Sequence, residues 1–327
     1  MDFNNNTSAC CPICGNKISF RFSVPCDYRK PTYHKKYEIY WCQECDYGLV
    51  WGRSSKAEVA EFYVLENYYT HHAKSTDVND GDVSLFDRIR THISWRFDAG
   101  EDLTPHEALL LLKEKYALTI CEIGCGNGDN ISKFHSKGFS VFGVEPDPVA
   151  REVAKQVTIN IFDGTAEEIP EAITNNKYDV VLMSHVLEHC LDINAAVSNA
   201  RDILSNGGVY IVETPNCGSA GFRTYQGEWP WSDIPRHLNF FTPASLNKLL
   251  KKHGFQVKFI KYRGYCRQFS NSWLKNEEEV WSAFSKYDME NKVRPNFRAR
   301  AWKLLLRTAF APKSAKYDSV RLIAFKM

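Results

Sequence analysis

Three groups of residues in this 327-residue chain have the types and spacing that chemistry requires. The first is CEIGCGNGDN at residues 121–130, a glycine-rich turn directly after the apolar run LTI. A strand, a run of glycines and then a helix bring backbone close to a nucleotide-like cofactor. The second is a set of histidines: His185 and His189 in SHVLEH, and His237 in DIPRHLNFF. Imidazoles suit proton removal near neutral pH. The third is a pair of C-x-x-C knuckles, Cys11 with Cys14 and Cys42 with Cys45, separated by 27 residues. Four thiolates so spaced close a tetrahedral structural zinc site and leave no coordination position for catalysis.

The glycines Gly124, Gly126 and Gly128 narrow the choice of cofactor. In the dinucleotide fingerprint a third glycine falls where this chain has Asp129, an acid at a helix start that a pyrophosphate needs free of negative charge. No phosphate-cradling G-x-x-x-x-G-K-[ST] occurs at this turn. A nucleoside without phosphates and with positive charge fits instead, because Glu122 precedes the turn and Asp129 follows it. S-adenosylmethionine has that character. Glu145 ends the strand-like FSVFGVE at about the twentieth position past the first glycine, where α/β nucleotide folds place an acid for the ribose hydroxyls. Asp163 ends the next strand-like run, TINIFDG, as an acceptor for an adenine amino group. YDVVLMS is a fourth strand ending at Ser184.

In these stations, E-x-G-x-G-x-G, Glu145, FDGTAEEIP, and HVLEH ahead of a long helix and GGVYIVETPN, the chain resembles the class I S-adenosylmethionine-dependent methyltransferases over roughly residues 105–327. The resemblance implies an α/β, Rossmann-like sheet of seven strands with the last antiparallel. It places Gly124, Gly126 and Gly128 along the cofactor, Glu145 on the ribose, Asp163 near adenine and Ser184 beside the methionine moiety. Related enzymes also fold a tyrosine-rich segment over the cofactor, which makes Tyr68 and Tyr69 of ENYYTHHA lid candidates. Aromatic packing against the ribbon is the other reading of those two residues.

The elements that must position these groups divide the chain into a zinc ribbon at 1–54, a helical connector at 55–104 and a catalytic domain at 105–327 with a basic helical insertion at about 268–316. Ser55 with Glu58, and Thr104-Pro105 with Glu107, read as helix starts. A ribbon ahead of such a domain resembles enzymes that methylate bacterial sugars, as nucleotide sugars or surface glycans, and less closely a zinc-bearing ribosomal RNA methyltransferase. The expected activity is O-methylation of a sugar. An RNA-modifying enzyme and a non-catalytic cofactor-binding protein stay open as alternatives.

A sugar hydroxyl is a poor nucleophile and needs a base, for which His189 and His237 are the first candidates and His185 the third. Trp229 and Trp231 of WPW, Arg236, Glu213 and Asn216 follow strand ends and are candidates for substrate contact. Charge is uneven: residues 251–327 hold 18 Lys and Arg against 6 Asp and Glu, within a chain of net charge +2. That basic end suits an anionic partner such as a sugar diphosphate. In RARAWKLLLRTAF, Trp302, Leu305, Leu306, Ala309 and Phe310 form one helical face, which docks on the domain or, over residues 298–310, meets an anionic membrane. With no signal-like start and eleven cysteines read as ligands and reduced thiols, a cytoplasmic site is expected, at most peripheral to the inner membrane face.

Overall fold

The computed structural model describes residues 10–32, 34–52, 55–62, 84–101, 105, 108, 111–112, 118–287 and 293–327. Tyr68 and Tyr69, most of the connector, and the expected helix start at Thr104 lie outside them. At the other expected start, the Ser55 amide donates to Glu58 Oε2 at 3.1 Å and the Glu58 amide to Ser55 Oγ at 3.3 Å, closing a reciprocal cap.

Two sheets organise the molecule. The larger has seven strands in the order β10-β11-β8-β7-β4-β5-β6, built from Thr119–Ile123 (β4), Ser140–Val144 (β5), Ile161–Phe162 (β6), Tyr178–Ser184 (β7), Leu204–Pro215 (β8), Phe255–Arg263 (β10) and Ser319–Lys326 (β11). β4 pairs in parallel with β5 and β7, and β7 with β8, while β11 runs antiparallel to both β8 and β10. Strand β7 shows why. Val180, Val181, Leu182 and Met183 are all buried, so both faces of the strand are covered, as a central parallel strand requires. Helices such as Ile193–Ile203 supply that cover, with Ile193, Ala196, Val197, Ala200 and Ile203 turned inward. This is the Rossmann-like seven-stranded arrangement expected from the sequence.

The smaller sheet has the order β1-β2-β3-β9, from Ser19–Val24, Tyr37–Cys42, Tyr47–Val50 and Asn239–Phe240. Its fourth strand is contributed from the far side of the chain: Gly48 pairs with Phe240 and Leu49 with Asn239. Cys11, Ile13, Ile18, Tyr47 and Leu49 share one buried cluster with Val181, Met183, Leu246 and Leu250 of the larger unit. The N-terminal sheet is therefore packed into the main core.

The helix Phe297–Thr308 turns Phe297, Ala301, Leu304, Leu305 and Thr308 inward, while Leu306 and Phe310 are exposed. This corrects the expected face, and Thr308 supplies the reason. Its hydroxyl bonds Leu304 O at 2.6 Å and meets Tyr265 Oη at 3.1 Å, so a polar residue is buried with its hydrogen bonds made. Hydropathy alone does not register that. Among the described residues no helix is long and apolar enough to cross a membrane.

Candidate active site

The glycine turn leaves β4 at Ile123. Gly124, Gly126 and Gly128 all have positive φ, and a Cβ on Gly124 would lie 2.4 Å from Val186 Cγ2, so only glycine fits there. That contact also places the turn directly beside the histidine segment 185–189. Glu145 reaches back from β5: its Oε2 accepts from the Gly126 amide at 2.8 Å and its Oε1 from the Asp147 amide at 2.9 Å. A carboxylate has further lone pairs, so this bracing leaves acceptor capacity. Glu122 is buried. Its Oε1 accepts from Asn130 Nδ2 at 2.8 Å, while Oε2 has no partner among the described residues. Burial raises the Glu122 carboxyl to about 8. A cation placed beside it would favour the ionised form. A sulfonium nucleoside thus suits this cradle better than a pyrophosphate does. Asp163, at the end of β6, is exposed and pairs with Arg151 Nη1 at 2.7 Å.

The histidines gather at the carboxyl end of β7, as ligand-binding groups do in open parallel sheets. His185 has φ 57°, a left-handed backbone that a non-glycine residue adopts only under constraint. Its ring supplies the constraint. Nδ1 lies 3.1 Å from Glu188 Oε1, Nε2 lies 3.1 Å from Glu213 Oε1, and the ring stacks on Trp231 at 5.1 Å. Burial works against a charge here, but the two carboxylates outweigh it and raise the imidazole to about 9. His185 is therefore an imidazolium at neutral pH with both nitrogens engaged. It cannot accept a proton, which corrects its candidacy as a base.

A stability consequence follows from that shift. The folded-state value lies above the unfolded value of 6.5, so this stabilisation is complete below pH 6.5 and disappears as pH climbs through about 9. Wild-type protein should lose on the order of 2 to 3 kcal/mol across that window relative to a His185→Gln variant. Denaturant titrations at pH 6.5 and 9.5 measure it, and equal pH dependence in the two proteins would refute it.

His189 and His237 are arranged differently. His189 Nδ1 donates to Arg236 O at 3.1 Å and His237 Nδ1 to Trp231 O at 2.8 Å, with the two rings 4.7 Å apart. Burial, then the neighbouring His189, lower the His237 imidazole to about 4, so it is neutral at pH 7. Glu188 is buried beside them. Burial would raise its carboxyl, but the hydrogen bond from His185 holds it below the ordinary range. Glu188 Oε2 has no partner among the described residues, and one donor atom from each of Glu188, His189 and His237 lies within 4.8 Å of the others.

Four expected substrate contacts prove to be framework. Trp229 is enclosed by Phe222 and Trp273. Arg236 is locked at 2.8 Å by both Asp27 oxygens and by Asp233. Asn216 donates to Ser314 O and Tyr317 O at 2.8 Å each. Glu213 sits between His185 and Arg321, whose Nε is 2.8 Å away. Each is buried with its polar atoms committed, Trp229 Nε1 excepted. Trp231 is only partly buried, with Arg267 over its ring at 4.5 Å. Ser184 is partly buried at the end of β7.

The model of a methyltransferase domain family matches residues 95–258, half of the chain. The chain belongs to that family. It is 30% identical over 214 residues to a ubiquinone biosynthesis O-methyltransferase of Cereibacter sphaeroides, an alignment covering 61% of this chain and 81% of that protein. It is 31% identical over 164 residues to the protein so named in Azorhizobium caulinodans, covering 46% and 64%. A solved SAM-dependent methyltransferase from Archaeoglobus fulgidus is 17% identical, with 72% of this chain and 94% of that one aligned at a TM-score of 0.45. The chain is a methyltransferase that uses S-adenosylmethionine. The glycine turn and the carboxylates of Glu122 and Glu145 are the groups of this chain that could hold that donor.

The four cysteines form a second cluster. One sulfur from each of Cys11, Cys14, Cys42 and Cys45 lies within 4.8 Å of the others, with Cys14 Sγ 3.7 Å from Cys42 Sγ. A tetrahedral zinc at about 2.3 Å from each sulfur separates them by about 3.8 Å, so the set is the right size. The Cys45 amide donates to Cys42 Sγ at 3.4 Å. Cys10 and Cys26 stand outside the cluster.

Proposed function

We propose that the chain transfers the methyl group of S-adenosylmethionine to a hydroxyl of a small ring-bearing acceptor, with His237 taking the proton. The observation that supports this reading is the convergence of Glu188, His189 and His237 beside the glycine turn. The acceptor oxygen attacks the methyl carbon in line as the carbon–sulfur bond breaks, S-adenosylhomocysteine departs, and the hydroxyl proton passes to His237 Nε2. The donor is already activated, so the protein's task is alignment, exclusion of water and proton removal. The bond from His237 Nδ1 to Trp231 O fixes the tautomer in which Nε2 accepts. Glu188 then balances the imidazolium.

Basicity bears on the acceptor. An imidazole held near 4 is a weak base, better matched to a phenol, which loses its proton near pH 10, than to a far less acidic sugar hydroxyl. The names of the relatives, ubiquinone biosynthesis O-methyltransferases, favour an acceptor of the quinone class over the sugar expected from the knuckles. The test offers purified protein and methyl-labelled donor a catechol-type phenol, a nucleotide sugar and RNA. Label in the phenol is the expected result, label in the sugar restores that acceptor class, and label in RNA alone overturns the reading. Donor binding with no transfer to any of them would leave a non-catalytic binder.

We also propose a structural zinc ion on Cys11, Cys14, Cys42 and Cys45. A second reading of the histidine cluster is favoured by the unpartnered Glu188 Oε2: a divalent cation bound by Glu188, His189 and His237 would acidify the acceptor hydroxyl in place of a histidine base. Transfer that survives brief EDTA treatment excludes it.

A further inference from the structure

The turn that carries Glu188 and His189 is a single 3-10 turn, Leu187–His189, too short to hold itself in place. Asn239 holds it. This buried amide donates from Nδ2 to Leu187 O at 3.3 Å, Glu188 O at 3.3 Å and Cys190 O at 2.6 Å. Its Oδ1 accepts from Tyr47 Oη at 2.5 Å. Tyr47 belongs to β3, the strand that follows the Cys42–Cys45 knuckle, and β3 pairs with the strand containing Asn239. The backbone adds to the same seam: Val50 N donates to Leu238 O at 3.0 Å and Leu238 N to Glu188 O at 2.8 Å. His237 lies two residues before Asn239. One amide thus ties both histidine-bearing segments to the cysteine-bearing sheet, while its own orientation is fixed by the tyrosine hydroxyl.

We infer that Asn239, oriented by Tyr47, is the positioning residue that sets Glu188 and His189 against His237, so that the N-terminal sheet takes part in the transfer step without touching either substrate. This rests on the reading of that cluster as the proton-accepting site. Neither residue reaches the donor cradle at Gly124–Gly128 and Glu145, so donor binding and transfer should separate.

The test uses the full chain with Asn239→Ala and Tyr47→Phe. Three quantities are read: S-adenosylmethionine affinity by calorimetry, the chemical shifts of the histidine ring protons by NMR, and kcat against KM on whichever acceptor the wild type methylates. Donor affinity should stay within about twofold in both variants. The His189 and His237 ring-proton chemical shifts should move in both, further in Asn239→Ala. Because an ångström of misplacement can cost about 100-fold, kcat should fall by about 30- to 100-fold in Asn239→Ala and by about 3- to 10-fold in Tyr47→Phe, with little change in KM. Unaltered ring-proton shifts and kcat in Tyr47→Phe, with Asn239→Ala either equally unaltered or unfolded, overturn the inference. If the wild type transfers to no hydroxyl while the ring-proton shifts still move, the functional reading fails and the positioning stands.

Discussion

Replacing His237 by alanine should lower kcat by about 10²- to 10⁴-fold, the range that a positioned proton acceptor contributes, while S-adenosylmethionine binds as before. The separation is expected because the His237 ring bonds Trp231 O, stacks on Trp231 and meets His189 edge-on, whereas the proposed donor cradle is the glycine turn with Glu122 and Glu145. Wild-type kcat should be level through neutral pH and decline only as pH approaches about 4, where His237 takes up a proton and ceases to accept one. Single-turnover assays and calorimetry on the variant check both halves. Near-normal turnover in His237→Ala and in His189→Ala alike would remove the histidine base from the mechanism.

Cys42→Ser should cost the N-terminal sheet the proposed zinc and with it its fold. Structural zinc sites in small domains contribute about 10 kcal/mol or more of apparent binding free energy, and that energy is folding energy. Wild-type protein should carry about one zinc per chain by elemental analysis. The variant should carry almost none and should be cut by protease within residues 10–50. Transfer should vanish with it, because Asp27 anchors Arg236 and β3 pairs with the strand just after His237. A metal-free wild type with full activity would contradict this outright.

The glycine turn and the cysteine knuckles were legible in the sequence because their parts are local. Glycines two apart, an acid at a strand end and four cysteines in two knuckles each declare themselves within a few residues. The surroundings of the histidines were not, because their meaning depends on partners far along the chain. Arg236 looks like a substrate contact until Asp27, 209 residues earlier, closes on it. His185 looks like a base until Glu213 and Arg321 arrive from two other strands. Trp229 reads as a stacking surface but fills the space beside Phe222 and Trp273. Asn239 gave no signal, since a lone asparagine in NFF has no spacing to betray it. The expected face of Phe297–Thr308 missed because a threonine bonded to its own helix and to Tyr265 is inside.

Tyr47 and Asn239 stand 192 residues apart. During synthesis the first three strands of the smaller sheet emerge with one margin bare and remain so until more than half of the protein has followed. A bare margin invites pairing with other chains. Maturation therefore depends on how soon the late segment returns, and a shortened gene product ending before residue 239 would be prone to clumping rather than merely inactive.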